Sequence, residues 1–329
     1  MDQDLRSYQF RKEREASWRE LETLVEKLER RRTSRFSFEE LNRLPHLYRA
    51  TLSGLSVARA ISLDKGIVRY LESLSARAYM ALYGSRQTFA QALSRLLGHQ
   101  VPDAVRRSAF VILLATLFMA LGAIAGYWLV LSDPEQYFAI VPEGLAQGRT
   151  PYTDAETLRA TIYSDGSDDA ASLTAFASTL FTHNAIVGIF AFALGFAATA
   201  PTILLMFYNG LLLGAMFRVF AMHGLGFDFF AWLSIHGTTE LFAIILCGAG
   251  GIIIGNAIIF PGRHTRFENL AIAGKRAGLL IIAAIIMLFA AGLIEGIGRQ
   301  TVQVAELRLL IGFGALALWL IYFMRVGRE

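Results

Sequence analysis

The sequence predicts an all-α polytopic membrane protein, with about six transmembrane helices and an N-terminal cytosolic helical bundle. Three observations predict it. Several apolar runs reach the roughly 18 residues that a membrane span needs. The first hundred residues are instead strongly charged and carry apolar positions at helical spacing. Basic and acidic segments then alternate between the apolar runs. Of the 329 residues, 54% are hydrophobic and 29 are glycine. The single cysteine, Cys247, lies in an apolar run, so no intrachain disulfide is expected and it serves as packing. The start, MDQDLRSYQFRKERE, is charged and lacks the apolar core of a cleavable signal. The net charge of +4 is informative only through its distribution, and no nucleic-acid partner is expected.

Residues 1–107 form the expected cytosolic bundle of about four amphipathic helices. Trp18, Leu21, Leu24, Val25 and Leu28 fall on one stripe, and Arg30, Arg31 and Arg32 close that helix, where cations complement the helix dipole. Ser37-Phe-Glu-Glu40 has the form of a capping box, opening a helix with its stripe at Leu41, Leu44, Tyr48, Leu52 and Leu55. A third helix is expected over about 62–83, through Ile67, Tyr70, Leu71, Leu74 and Ala78. The region holds 20 Lys and Arg against 13 Asp and Glu. That surplus suits a surface facing an anionic leaflet or simply a solvated one.

Pro102 suits the first turn of a helix that leads through Arg106 and Arg107 into the first span, 108–131, with Tyr127 and Trp128 at its far interface. Residues 132–180 form an acidic external loop. It holds Asp133, Glu135, Glu143, Asp154, Glu156, Asp165, Asp168 and Asp169 against Arg149 and Arg159. Thr153-Asp-Ala-Glu156 is expected to cap a short helix. Asp165-Gly-Ser-Asp-Asp169 lacks the spacing and the terminal Glu of a calcium loop and is read as a solvated turn.

The core region is 181–260. From His183 to Met222, a straight helix would be about 60 Å long, twice the hydrocarbon thickness, so the chain must turn. Thr199-Ala-Pro201 and Asn209-Gly210 compete for the turn. The proline site is preferred, giving spans of about 183–199 and 202–222. A re-entrant pair with its tip near Asn209 is the alternative. After an outer turn at 223–228, the fourth span covers about 231–260. A basic cytosolic loop, 261–276, carries Arg263, Arg266, Lys275 and Arg276, and 277–329 supplies two more spans, about 277–298 and 306–324. With six spans, Arg106-Arg107, the 261–276 loop and the C-terminus are all cytoplasmic and the acidic loop is external; five spans would break this agreement.

Polar residues inside apolar runs are expensive and mark function or pairing. Here they are His183, Asn184, Asn209, Arg218, His236, Glu240 and Glu295. His236 and Glu240 are four residues apart, one above the other on a helix face. By the six-span topology, all but the more central Asn209 lie in the outer half of the membrane, where they are expected to form a polar cluster or cavity with Arg218 as counter-ion. Gly210, Gly214, Gly237, Gly248, Gly251 and Gly255 are expected to permit close helix packing, and together with Gly292, Gly296, Gly312 and Gly314 they are compatible with a homodimer.

The pattern Phe181-x-x-Asn184, Asn209-Gly-Leu-x-Leu-Gly214, His236-Gly-x-x-Glu240-Leu-x-Ala243 with its following Gly-Ala-Gly-Gly, and Ile294-Glu-Gly296 resembles the stage II sporulation protein M (SpoIIM) family. Trp18-Arg-Glu-Leu-Glu22 and Leu47-Tyr-Arg-Ala50 extend the likeness over nearly the whole chain. His183 is a departure, since many relatives carry Asn there. The resemblance implies an inner-membrane protein. In spore formers the namesake acts with cell-wall hydrolases in engulfment, and relatives elsewhere are often encoded beside RDD-type membrane proteins and MoxR-type ATPases. This sequence supplies no hydrolase motif, so the sporulation role is not carried over.

Three function classes follow. The first is a non-enzymatic scaffold in a membrane complex linked to envelope remodelling, with the bundle and acidic loop as docking surfaces. The second is a transporter or channel for a proton, ion or lipid, using the outer-half cluster. The third and weakest is a metal enzyme in which His236 and Glu240 are joined by His183, His223 or Glu295; the second His of a zinc-protease motif is missing. No catalytic residue, metal or cofactor is assigned, and membrane lipids are expected contacts.

Overall fold

A computed structural model describes residues 2–29, 36–60, 65–83, 88–163 and 170–328, with the side chains of 2–7, 9, 170–181 and 296–301 excepted. Arg30–Arg32 and the 165–169 turn therefore lie outside the described residues. Every regular element among those described is helical. The chain divides into two compact units, Met1–Phe89 and Ala90–Glu329.

The first unit contains α1 (Asp2–Glu29), α2 (Phe38–Ala60) and α3 (Lys65–Tyr83). Trp18, Leu21, Leu24 and Val25 of α1 are buried against Leu71, Leu74 and Ala78 of α3 and Leu44, Leu55 and Ala58 of α2. The capping box forms: the Glu40 amide donates to Ser37 Oγ (3.1 Å) and the Ser37 amide to Glu40 Oε2 (2.9 Å). The stripe of α2 differs from expectation. Leu41 and Leu52 are exposed, and the buried face is Leu44, Leu47, Thr51, Gly54, Leu55 and Ala58. Thr51, Gly54 and Ala58 complete the buried face, and Gly54 lies beside the side chains of Phe10, Arg14 and Trp18 of α1.

The bundle is three helices among the described residues, and its boundary falls earlier than 107. Helix α4 (Phe89–Arg95), from Ala90 on, and α5 (Val101–Arg107) belong to the second unit. Val101, Pro102, Ala104 and Val105 are buried, and α5 packs on the two C-terminal helices, Arg266–Thr301 and Ala305–Arg325. The Arg106 guanidinium donates to the Phe323 and Val326 carbonyls, each at 2.8 Å. It satisfies the last carbonyls of a helix, as a cation at a C-terminus should.

The second unit is built on α6 (Ala109–Ser132), α10 (Ala170–Ala193, continued by a 3₁₀ turn Leu194–Ala197), α11 (Thr199–Met222), α12 (Gly226–Ile259), α13 (Arg266–Thr301) and α14 (Ala305–Arg325). Helices α6, α11, α12, α13 and α14 are long and apolar enough to cross a membrane; the apolar run Thr182–Ala197 is shorter. The chain turns at Ala198, beside the preferred proline site. Asn209 sits mid-helix in α11, so the re-entrant hairpin with its tip there does not form. Ala198 holds φ at +87°, in a region that L side chains rarely adopt. An added Cβ at Gly255 of α12 would lie 2.5 Å from the Thr199 nitrogen and 2.8 Å from the Ala198 carbonyl carbon, so α12 clamps this turn.

Glycines also fix the helix directions. A Cβ at Gly122 or Gly126 of α6 would lie 1.9 Å from the Phe207 oxygen or 2.1 Å from the Leu211 oxygen. At Gly210 or Gly214 of α11 it would lie 1.9 Å from the Met119 or Ala123 oxygen. Two Gly-x-x-x-Gly faces thus meet backbone to backbone, with α6 and α11 parallel. Gly195 against Gly251 and Gly188 against Cys247 place α10 parallel to α12. A tight turn at 223–225 makes α11 and α12 antiparallel. Helix α10 therefore runs opposite to α11, as the six-span count requires.

The segment read as an external loop is folded over residues 133–163, as α7 (Gln136–Ile140), α8 (Glu143–Ala146) and α9 (Ala155–Ile162). Tyr137, Ile140, Leu158 and Ile162 share a core with Val219, Phe220, Phe229 and Trp232 of α11 and α12. The cap of α9 is Asp154, which accepts from the Thr157 amide (2.8 Å); Thr153 instead donates back to the Gly148 carbonyl (2.6 Å). The expected cap was one residue early because either side chain can serve there.

Candidate intramembrane polar site

Helix α12 positions the site. Within its apolar stretch 78% of the residues are buried, so this helix runs through the middle of the spanning unit. Its polar side chains must therefore find partners inside protein. His236 and Glu240 lie on one face and are buried. Glu240 Oε2 accepts from Asn184 Nδ2 of α10 at 2.6 Å. Glu295 of α13 is buried and within electrostatic reach of Glu240. The His236 ring stands edge-on to Trp232, with centroids 6.1 Å apart. Between His236 and Glu240, Thr239 is fully buried. The core of the site is thus Asn184, His236, Glu240 and Glu295, from three helices.

Three expected members stand elsewhere. Arg218 holds its guanidinium 5.6 Å from the Tyr127 ring centroid on α6, and none of the ion pairs among the described residues involves it. It faces the α6 side of α11, so it is no counter-ion for Glu240 or Glu295. Asn209 donates to the Leu205 carbonyl of its own helix (2.9 Å), the backbone-satisfying option open to a lone amide in an apolar helix. His183 is half-buried one residue before Asn184, and the neighbouring position carries the bond to Glu240. The third-ligand candidate His223 lies at the α11–α12 turn, 3.4 Å from the Pro151 carbonyl. Among the described residues no three His, Cys, Asp or Glu converge to hold a metal.

The expected packing glycines divide in two. Gly210, Gly214, Gly251 and Gly255 press on backbone, and Gly248 meets the Met206 sulfur at 2.4 Å of added-Cβ distance. Gly237 packs against no neighbouring helix; an added Cβ there would meet only the Leu233 side chain at 3.2 Å. It is a hollow rather than a contact.

A second polar cluster escaped the sequence reading. Arg308 of α14 is almost fully buried. It donates to the Val302 carbonyl (2.8 Å), to the Ile162 carbonyl through two nitrogens (3.3 Å each) and to Gln303 Oε1 (3.1 Å). Its guanidinium lies 5.1 Å from the Tyr163 ring centroid, with Arg159 at 5.2 Å. The Tyr163 hydroxyl donates to Asp228 of α12. Burial and the bond to Asp228 push the Tyr163 phenol above its ordinary range, which keeps it a donor. This clasp ties the end of α9 to the starts of α12 and α14. The available signal was an arginine in the first turn of an apolar run, which reads equally well as an interfacial flank.

The profile of the stage II sporulation protein M family matches residues 115–298, the region that contains the Asn184–Glu240 pair and both glycine faces. A second profile, a domain of unknown function (DUF8413), matches residues 8–84, the described helices of the first unit. No curated protein and no solved structure matches.

Proposed function

The chain belongs to the stage II sporulation protein M family of membrane proteins, and on that premise we propose that it is a non-enzymatic scaffold of an inner-membrane complex that remodels the envelope. The observation that carries this reading is the packing around α12. Gly251 and Gly255 press on the backbone of the α10–α11 segment, and Glu240 reaches Asn184 of α10 across the same side of α12. Groups packed this way act as struts that fix helix register. The excess of Lys and Arg near Arg106, over 261–276 and at the C-terminus supports reading that side as cytoplasmic. The charged three-helix unit is the docking surface for a soluble partner. A MoxR-type ATPase and an RDD-type membrane protein are the partners that the family resemblance suggests. A Cβ added at Gly314 would meet nothing within 4 Å, so that face of α14 is open to a second copy in a homodimer. The test is co-purification of the full chain with those two partners, with and without charge reversal at Arg43, Arg59 and Arg69 on the bundle. Binding that is lost on reversal supports the docking role; no complex with either partner overturns it.

One observation favours a second reading. Two carboxyl groups within mutual electrostatic reach inside a spanning unit also suit the passage of a proton or cation. Reconstitution in liposomes separates the readings. A scaffold shows no proton, ion or lipid flux above empty vesicles. A transporter shows flux that Glu240→Gln abolishes, and flux indifferent to that change would sink the transport reading.

A further inference from the structure

We propose that the cleft between α6, α11, α12 and α14 is a phospholipid site, taking one acyl chain along its floor and the phosphate at Arg218. The cleft has a volume of about 540 Å³ and is walled by Tyr127, Trp128, Phe217, Leu233 and Leu241, with Gly237 forming the hollow. Along α12 it runs from Phe230 to Leu241. At 1.5 Å per residue that is about 16 Å, half of the roughly 30 Å of hydrocarbon and therefore one leaflet deep.

The chemistry changes at one end. Arg218 is not itself in the cleft wall, but it follows Phe217 on α11 and its guanidinium lies 5.6 Å from the Tyr127 ring centroid; both neighbours line the cleft at the end nearer α7–α9, which puts the cation beside that end. Its Nε is buried without a hydrogen bond, and none of the ion pairs among the described residues involves the cation. A planar guanidinium held by a ring above an apolar slot is suited to two-point recognition of a phosphate. Trp128, 62% exposed on the same rim, has the amphipathic ring that settles at headgroup level. The walls are mostly apolar and aromatic, with Ser234 and Thr238 as the polar side chains among them, so the cleft matches an acyl chain rather than a polar ligand.

Gly237 makes the idea testable, because an added Cβ there meets only the side chain of its own helix neighbour Leu233, at 3.2 Å, which a small shift of that side chain relieves, and the rest of a larger side chain projects into the cleft. The full chain is placed in nanodiscs containing phosphatidylglycerol with a photoactivatable acyl chain, and the labelled peptides are mapped by mass spectrometry. Label concentrated on 123–128 and 233–241 is expected. Gly237→Leu should cut it about tenfold while the elution profile is unchanged. Arg218→Gln should cut phosphatidylglycerol labelling about tenfold yet leave a photoactivatable diacylglycerol, which has no phosphate, unaffected. Label spread evenly over all lipid-facing helices, or equal in both variants and the parent, overturns the proposal. Protection of 123–128 and 233–241 by crosslinks between copies would do so as well, since protein would then fill the cleft.

Discussion

The seam between α6 and α11 and the core of the N-terminal unit solve the same problem, holding helices together, by opposite means. In the first unit large side chains interlock: Trp18, Leu21, Leu71 and Leu74 are all at or below 3% exposure. In the spanning unit the closest seam has no side chains at its centre, only Gly122, Gly126, Gly210 and Gly214 against carbonyl oxygens. The difference follows from the solvent. Water rewards the burial of each apolar side chain by about 1.5–3 kcal/mol. Lipid gives no such reward, so helices there gain from close van der Waals approach and from weak Cα–H···O contacts. The seam should therefore be intolerant of single methyl groups, while the bundle should be sensitive to their loss.

The largest expected effect breaks the seam. Gly214→Ala places a Cβ 1.9 Å from the Ala123 oxygen, which no rotamer change can relieve, because both partners are backbone. The two helices must separate along their length. The cost should exceed the about 1–3 kcal/mol of ordinary overpacking. In detergent the variant should lose its monodisperse elution, and α6 and α11 should lose hydrogen-exchange protection while α1–α3 keep theirs. Retention of parent stability in this variant would show that the seam is not what holds the unit.

The second effect falls on the bundle. Leu71→Ala removes a fully buried side chain between α1 and α3 and should cost about 2–5 kcal/mol. Hydrogen exchange of the full chain should then weaken over α1–α3 and leave α6–α11 unchanged, since the two units are compact separately.

A third change sharpens the comparison because it is expected to stabilise. Ala198 is held at φ +87° by the clamp of Gly255 on the α10–α11 turn. Glycine adopts that conformation without the side-chain penalty, so Ala198→Gly should raise stability by about 1 kcal/mol. An upward shift in the thermal midpoint of the detergent-solubilised chain is the measurement. A downward shift would mean that the Ala198 methyl contributes packing that outweighs the strain.

These contrasts also mark how far the sequence could be read. Spans were legible because twenty apolar residues in a row have few other uses; length required a turn between 183 and 222, and Pro201 pointed to its place, one turn of helix from the break found at Ala198. The capping box at Ser37 and Glu40 was legible because it is local. The tertiary pairing was not. Arg218 and Glu295 share a depth, yet depth says nothing about which way round the helix axis a side chain faces, and Arg218 turned to Tyr127. Gly237 looked like the other glycines of α12, and only the positions of its neighbours show that no other helix comes against it. Gly122 and Gly126 were overlooked although they repeat the spacing of Gly210 and Gly214, a match that only their meeting makes meaningful. Arg308 was hidden by its place at the edge of an apolar run.

The smallest expected effect is electrostatic and belongs to the bundle alone. Lys27 of α1 reaches Glu40 of α2 at 2.6 Å, and Arg77 of α3 reaches Glu29 of α1 at 2.9 Å. The hydrogen bond from Lys27, aided by the Ser37 cap, holds the Glu40 carboxyl below its ordinary 4.5; the Arg77 bond does the same for Glu29. A carboxyl whose folded value is depressed contributes stability above its unfolded value, and that contribution is lost as pH falls through the folded one. The bundle should thus weaken below about pH 4.5, modestly, because exposed pairs are screened by water and salt. The seam has no such pair and should not share the trend. Hydrogen exchange over α1–α3 at pH 6 and pH 3.5, corrected for intrinsic rates, should show the loss. Lys27→Met should flatten the part due to Glu40, and added salt should shrink what remains. If α6 and α11 weakened in step with the bundle, acid would be acting on the whole chain rather than on these pairs.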